Sequence, residues 1–464
     1  MKVHFCGIGG VAMSAAARLA VELGHEVRGS DNPLYPPASH MVASLGVPVA
    51  SSYDESNLDW QPDVVVIGNA LSRGNAEIEA ILERRLFFKS MPEWLKEEVL
   101  RYRQPIVICG THGKTTTTTL TAHLLDRAGL QPGFLIGGQP LDFPHAARLG
   151  KESAPFVIEG DEYDTAFFDK RAKFFHYLPQ IAVVTSLEFD HGDIYPNVEA
   201  IEQAFRLMLR QIPRNGRLIL CAEAPRALAL ASHAFCPVVT YGFQPGADYR
   251  GQWESSKTQD TRLRVTKEGK DYGVFDLPLW GNHNALNVLA ALAVADQYGV
   301  EVSALQLALR DFKGVRRRME VFLEARGAVF IDDFAHHPTA IRETVAAVRL
   351  RFPKGRLRVL CEPRSNTMVT NRFQDELIEA LSGADEVWLG AVYRAESIPP
   401  ETRLDREAVR AALENRGVAA YVENTAEEIA GAVWETLQAG DVVLVLSNGA
   451  FGGIYEFFRK MAKN

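Results

Sequence analysis

Short apolar runs that end in glycine recur along the chain, separated by stretches with helical spacing. Val3 to Cys6 runs into Gly7-Ile8-Gly9-Gly10, and Ala12 to Leu23 follows with Ala15, Leu19 and Leu23 on one helix face. A strand, a glycine turn and a helix are predicted. Glu26 to Gly29 predicts a second strand, and Val64-Val65-Val66-Ile67 has the unbroken apolar character of a strand buried on both faces of a parallel sheet. The pattern restarts at Ile106-Val107-Ile108-Cys109, after a charged helical stretch from Glu93 to Arg103. Buried strands are expected at Ile181 to Thr185 and Arg217 to Cys221, and a peripheral antiparallel pair at Arg262 to Thr266 and Gly273 to Leu277. An amphipathic helix is expected from Ala285 to Gln297. A third series opens after Phe312-Lys313-Gly314, with strands at Ala328 to Ile331, Leu357 to Cys361, Val387 to Leu389 and Val442 to Leu446.

The length of 464 residues accommodates three such units. With 47% hydrophobic and 23% charged residues and no low-complexity tract, disordered and fibrous classes drop out. A net charge of -8 without any block of like charges argues against a nucleic-acid partner. Met1 to Gly10 lacks the basic flank and apolar stretch of a secretory signal, and no window reaches the roughly 18 apolar residues of a membrane span. A cytoplasmic protein is expected. The five cysteines, Cys6, Cys109, Cys221, Cys236 and Cys361, are scattered and unpaired in sequence, as core thiols in a reducing compartment would be.

Chemistry enters at the strand ends. Gly110-Thr111-His112-Gly113-Lys114-Thr115-Thr116 follows an apolar strand and precedes a helix, the context of a phosphate-binding loop. Lys114 would reach the β- and γ-phosphates, and Thr115 would offer its hydroxyl to magnesium. The loop is a compact variant, because Ile108 stands where the general pattern has its first glycine. Five threonines from Thr115 to Thr119, middling helix formers, are easier to understand where their hydroxyls have ligands. Glu159-Gly160-Asp161-Glu162-Tyr163-Asp164 and Glu188-Phe189-Asp190-His191 also follow strands. Their carboxylates suit magnesium; each cluster alone is more often a solvated loop, and lying in the same unit as the phosphate loop reverses that. Gly7-x-Gly9-x-x-Ala12 with Asp31 fits a dinucleotide fingerprint, against the plainer alternative of close helix-on-strand packing. In the third unit Asp332 to Thr339 pairs aspartates with His336 and His337, for metal, proton transfer or a hydrogen-bonded loop. Arg316-Arg317-Arg318 could meet an anion, and Arg364 and Asn366 are placed for a ligand carboxylate. The fold class is α/β in three consecutive domains, at 1–103, 104–313 and 314–464. The first and last are Rossmann-like, and the middle is phosphate-loop ATPase-like with a mostly parallel sheet.

The order of these motifs resembles the Mur ligase family, ATP-dependent amide ligases of peptidoglycan precursor synthesis. The Gly110 to Thr116 loop, Glu159 with Asp161 and Glu162, Glu188 to His191, Gly281-Asn282-His283-Asn284 with Asn287, and Arg317 are similar to the family's ordered landmarks. Gly29-Ser30-Asp31 with Tyr35-Pro36-Pro37, Gly68-Asn69-Ala70, Arg73-Gly74-Asn75, Phe167-Phe168-Asp169-Lys170-Arg171, Asp332 to Thr339, Glu362 to Met368 and Ser447 to Gly453 look like one branch. That branch joins the murein tripeptide L-alanyl-γ-D-glutamyl-meso-diaminopimelate to UDP-N-acetylmuramate in peptidoglycan recycling. The alternative is the sister branch that adds L-alanine in de novo synthesis. Ala450 stands where glycine is expected.

The resemblance implies ATP bound by Gly110 to Thr116, Asn282, His283, Asn284, Arg317 and Asp332. It implies the UDP-sugar at Gly7, Gly9, Gly10, Ser30, Asp31 and Asn69, and the peptide at Arg364 and Asn366. Two Mg2+ ions would be served by Thr115, Glu159 and His191, with Lys114 and His337 catalytic and His337 accepting the amine proton. Several family members carry a carbamoylated lysine in the middle domain, but no lysine occurs here between Lys173 and Lys257. The protein would act as a monomer or homodimer, without nucleic acid or membrane.

Overall fold

A computed structural model describes residues 1–35, 38–254 and 261–463, so only Tyr35 of the Tyr35-Pro36-Pro37 feature lies within the described residues. The first sheet has five strands, all parallel, in the order Val49–Ala50, Glu26–Ser30, Lys2–Cys6, Val64–Ile67 and Phe88–Ser90. Val64–Ile67 is buried at every position and flanked on both edges, which is why its sequence shows no alternation. The helix expected over Glu93 to Arg103 starts earlier and breaks. Met91–Glu98 is α-helical, opened by a reciprocal cap between Ser90 and Glu93, and a 3-10 turn follows at Leu100–Tyr102.

The central sheet has ten strands. Its strand Gln104–Cys109 lies between Pro155–Gly160 and Ile181–Val184, parallel to both, with Cys109 level with Gly160 on one side and Val184 on the other. Three carboxyl ends therefore open side by side, and they carry the phosphate loop, the 159–164 acidic run and the 186–191 segment. Arg262–Lys267 and Lys270–Asp276 form the expected antiparallel pair at one edge. The helix expected from Ala285 begins at Asn282 and ends at Asp296, and it is buried on nearly every face rather than amphipathic. It packs on the phosphate-loop helix Lys114–Arg127 within one apolar cluster.

The third sheet has six strands in the order Glu320–Ala325, Ala328–Asp333, Val442–Leu446, Leu357–Cys361, Glu386–Leu389 and Ala419–Val422. Only the first pair is antiparallel. Glu320–Ala325 was not among the expected strands: it is an edge strand with no fully buried residue, and its apolar run is only Val321-Phe322-Leu323. A single apolar cluster runs from the first sheet into the central one through Phe5, Trp94, Phe156, Phe174 and Phe205. Truncating the fully buried Phe174 to alanine would cost about 3–5 kcal/mol. Among the described residues no helix is long and apolar enough to cross a membrane.

Candidate active site

The phosphate loop turns on two glycines with positive φ, Gly110 (129°) and Gly113 (81°). A Cβ at Gly113 would lie 2.5 Å from Asn287 Oδ1, so the residue must be glycine on both counts. The loop is knitted to the next strand end. The Thr111 amide donates to the Ser186 carbonyl, the His112 amide to Ser186 Oγ at 2.9 Å, and the Glu188 amide to Thr111 Oγ1 at 2.9 Å. The amides of Thr111 and His112 are thus already used. Those of Lys114, Thr115 and Thr116 precede the first intrahelical bond, from Thr117 to Gly113, and form the anion-binding end of the helix. The threonine run has a more internal explanation than ligand binding. Thr117 donates to Asn287 Oδ1, Thr119 to the Thr115 carbonyl, and Thr118 is fully buried. Only Thr115 and Thr116 of the run line the cavity.

Lys114 Nζ donates to the Gly110 carbonyl at 2.7 Å and to both oxygens of Glu162, at 3.0 and 2.8 Å. Burial works against its charge, yet Glu162 and Asp161 together hold its pKa above the ordinary lysine value. Glu159 accepts from the Gly137 amide, and burial pushes its carboxyl up despite that bond and the nearby Thr115 hydroxyl. Asp161 is paired with Lys173 at 2.6 Å. His191, at φ 54°, faces Glu162 Oε1 across 3.4 Å. Burial lowers its pKa, and the Glu162 hydrogen bond and charge more than reverse this. Thr115 neighbours Glu159, whereas His191 stands on the Glu162 side. Among the described residues, neither Glu159 nor His191 belongs to a close cluster of three His, Cys, Asp or Glu donors.

The third domain reaches the same place. Arg318 Nη2 donates to Thr115 Oγ1 at 3.3 Å, whereas Arg317, at φ 60°, turns into its own domain. Arg317 binds Asp332 Oδ2 and the Ser447 carbonyl, and Tyr455 donates to Asp332 Oδ1. Burial raises the Asp332 pKa to about 6 against the pull of Arg317. His337 Nδ1 accepts the Thr339 amide and caps the helix Pro338–Arg351, while its Nε2 sits 3.3 Å from the Phe189 carbonyl. Both ring nitrogens are thus engaged, and burial holds the pKa down at about 4. Thr339 Oγ1 donates to Glu188 Oε2 at 2.8 Å, and Thr367 Oγ1 to Asp190 Oδ1 at 2.5 Å.

Lys114, Glu159, Asp161, Glu188, His191, Arg318, His337 and Thr339 line a cavity of about 1020 Å³, whereas Glu162, Thr367 and Tyr455 stand behind its wall. Of the residues expected at the nucleotide, Thr111 to Thr116, His283 and Asn284 line it; Gly110, Asn282, Arg317 and Asp332 do not. Asn282 Oδ1 instead accepts from Trp253, and His283 has a buried Nδ1 without a partner. Sequence reasoning took Arg318 only as part of the 316–318 run, from which it chose Arg317, and Asp333 and Thr339 only as part of the Asp332 to Thr339 segment; all three line the cavity from the third domain. No local signal separates one arginine of three from its neighbours. In the first domain, Gly9 donates to Asp31 Oδ2 at 2.7 Å, so Asp31 braces the glycine turn. Ser30 is fully buried and its hydroxyl donates to Glu77, so it faces the domain interior rather than a ligand. Val11 and Ala12, not Gly7, Gly10 or Asn69, reach the cavity. Arg364 and Asn366 also lie outside the cavity lining; the Arg364 guanidinium stacks 3.8 Å above the Tyr393 ring and pairs with Glu362, and Asn366 is exposed.

Three α/β domains converging on a phosphate loop, with carboxylates at the neighbouring strand ends, define a nucleotide-using multidomain enzyme. The family models agree on which: Mur ligase family, catalytic domain matches residues 2–103, Mur ligase middle domain 108–295, and Mur ligase, glutamate ligase domain 317–449. The chain belongs to the Mur ligase family and is a ligase. It is 41% identical to the UDP-N-acetylmuramate--L-alanyl-gamma-D-glutamyl-meso-2,6-diaminoheptandioate ligase of Escherichia coli K12, over 98% of this chain and 97% of that one. It is 35% identical to the UDP-N-acetylmuramate--L-alanine ligase of Halorhodospira halophila, over 98% and 92%. Among solved structures, a murein peptide ligase of Psychrobacter arcticus 273-4 superposes with a TM-score of 0.76 at 35% identity, covering 100% and 99%.

Proposed function

We propose that the protein is an ATP-dependent amide ligase that joins L-alanyl-γ-D-glutamyl-meso-diaminopimelate to UDP-N-acetylmuramate, recycling cell-wall peptide. One observation carries the reading: a single cavity is lined by the phosphate-loop helix end, by Glu159 and the 185–191 segment, by the third-domain segment 333–344, and by Val11 and Ala12 of the first domain. Three ligands that must react with one another require such a meeting of three domains.

In the reaction, a carboxylate oxygen of the muramate lactoyl group attacks the γ-phosphorus of ATP. The bond to the bridging oxygen breaks, and ADP leaves an acyl phosphate. The alanine nitrogen of the peptide then attacks the acyl carbon and loses a proton as inorganic phosphate departs. Lys114, the amides of Lys114 to Thr116, and Arg318 would neutralise and orient the moving phosphoryl group. Thr115 with the buried, partly paired Glu159 fits a hard cation that prefers oxygen donors, and His191 would serve a second. Mg2+ bound there would supply charge neutralisation. Gly7, Gly9, Gly10 and Asn69 of the first domain would hold the UDP-sugar, and Arg364 and Asn366 the peptide's carboxylates. His337 would take the amine proton only after releasing the Thr339 amide. The five cysteines, all free, support a reducing, cytoplasmic setting.

The test is ADP release from ATP and UDP-N-acetylmuramate, with the tripeptide compared against L-alanine. Preference for L-alanine would move the protein to the sister branch.

A further inference from the structure

We propose that Glu188 is a positioning residue that couples docking of the third domain to the phosphate loop through one carboxylate oxygen. Glu188 Oε2 accepts from Thr339 Oγ1 at 2.8 Å and faces His112 Nε2 at 3.2 Å. Thr339 belongs to the first turn of the third-domain helix Pro338–Arg351, and His112 is the middle of the phosphate loop. His337 Nδ1 lies 3.7 Å from the same oxygen, and the His112 and His337 rings are 4.9 Å apart. The rest of the segment also grips the third domain, through Thr367 on Asp190, Arg372 over the Phe189 ring, and His337 on the Phe189 carbonyl. Among the described residues, those grips stop at the segment, and only that of Glu188 continues into the phosphate loop, by its side chain to His112 and its amide to Thr111.

The consequence, which rests on the amide-ligase reading, is a division of labour. Nucleotide can sit on the phosphate loop without the third domain, but turnover needs both held in one geometry, and the shared oxygen supplies a link to the loop's middle beside the direct one from Arg318 to Thr115.

The test is a double-mutant cycle of E188A and T339V, with E188Q as the conservative variant. Each single variant is expected to lower kcat for ADP release by about 10-fold or more, the loss expected for a hydrogen bond to a charged group. ADP affinity measured by calorimetry should stay within about threefold, and the double variant should be no slower than the slower single. E188Q keeps a carbonyl oxygen that can accept both bonds but loses the charge, so its turnover should fall between those of wild type and E188A. Additive losses, unchanged turnover in E188A, E188Q as slow as E188A, or ADP affinity falling in step with kcat would each overturn the proposal. Hydrogen exchange gives a readout independent of catalysis: T339V should speed exchange of the 110–116 amides, which Thr339 does not touch. Unchanged exchange there removes the coupling. Wild-type protein that releases no ADP with all three substrates removes the ligase reading instead.

Discussion

Lys114 and Glu162 form a buried ion pair at 2.8 Å, with side chains 15% and 3% exposed, in the position where the lysine would meet nucleotide phosphates. Neither charge can be removed alone without stranding the other. K114M is expected to lower turnover by about 10³-fold and to destabilise the fold by about 3–5 kcal/mol. K114M/E162Q should recover most of the stability and none of the turnover. Denaturant unfolding beside ADP release separates the two effects, and a double variant as unstable as K114M would remove the ion-pair account.

Glu159 and His191 make a prediction about magnesium. E159Q and H191N should each raise the Mg2+ concentration for half-maximal ADP release by about 10–100-fold, since one removes the ligand's negative charge and the other its imidazole nitrogen. A magnesium titration that superposes on wild type for either variant takes that residue out of the metal site.

Asp332 links stability to pH. Its carboxyl titrates near 6 because burial outweighs the attraction of Arg317, so the folded protein holds a proton that the unfolded chain has released. The sign follows: the contribution is complete below about pH 4 and is lost as pH rises through about 6, with a total of about 3 kcal/mol. D332N does not titrate. Its melting temperature relative to wild type should therefore climb between pH 4.5 and 7. A constant gap across that range contradicts the assignment.

His337 separates capping from proton transfer. Asparagine is a good N-cap and a poor base, whereas alanine is neither, so H337N should keep the stability that H337A loses, about 1 kcal/mol. A proton-accepting role requires H337N to be folded yet slowed by about 10²-fold or more. Near-normal turnover in H337N would leave His337 as a helix cap and nothing more.

The sequence reached the α/β class, three consecutive units, and the strand ends at which chemistry collects. Each of those signals is local. An apolar run before a glycine turn states its own strand, and Gly113 with Lys114 states its own anion-binding helix end, because backbone sterics and unsatisfied amides are properties of a few adjacent residues. The edge strand Glu320–Ala325 escaped because it buries no continuous face, whereas the helix at Asn282 was wrongly read as amphipathic: Val288 to Ala295 is apolar without a break, the mark of a helix buried all round. What only the tertiary structure decided was the direction of side chains and the identity of partners far away in sequence. Arg318 rather than Arg317 reaches Thr115, Ser30 turns inward to Glu77, and Thr339 finds Glu188 across 151 positions. Periodicity describes which face of an element is apolar; which polar group meets which is set by how three sheets pack, and that is a non-local property.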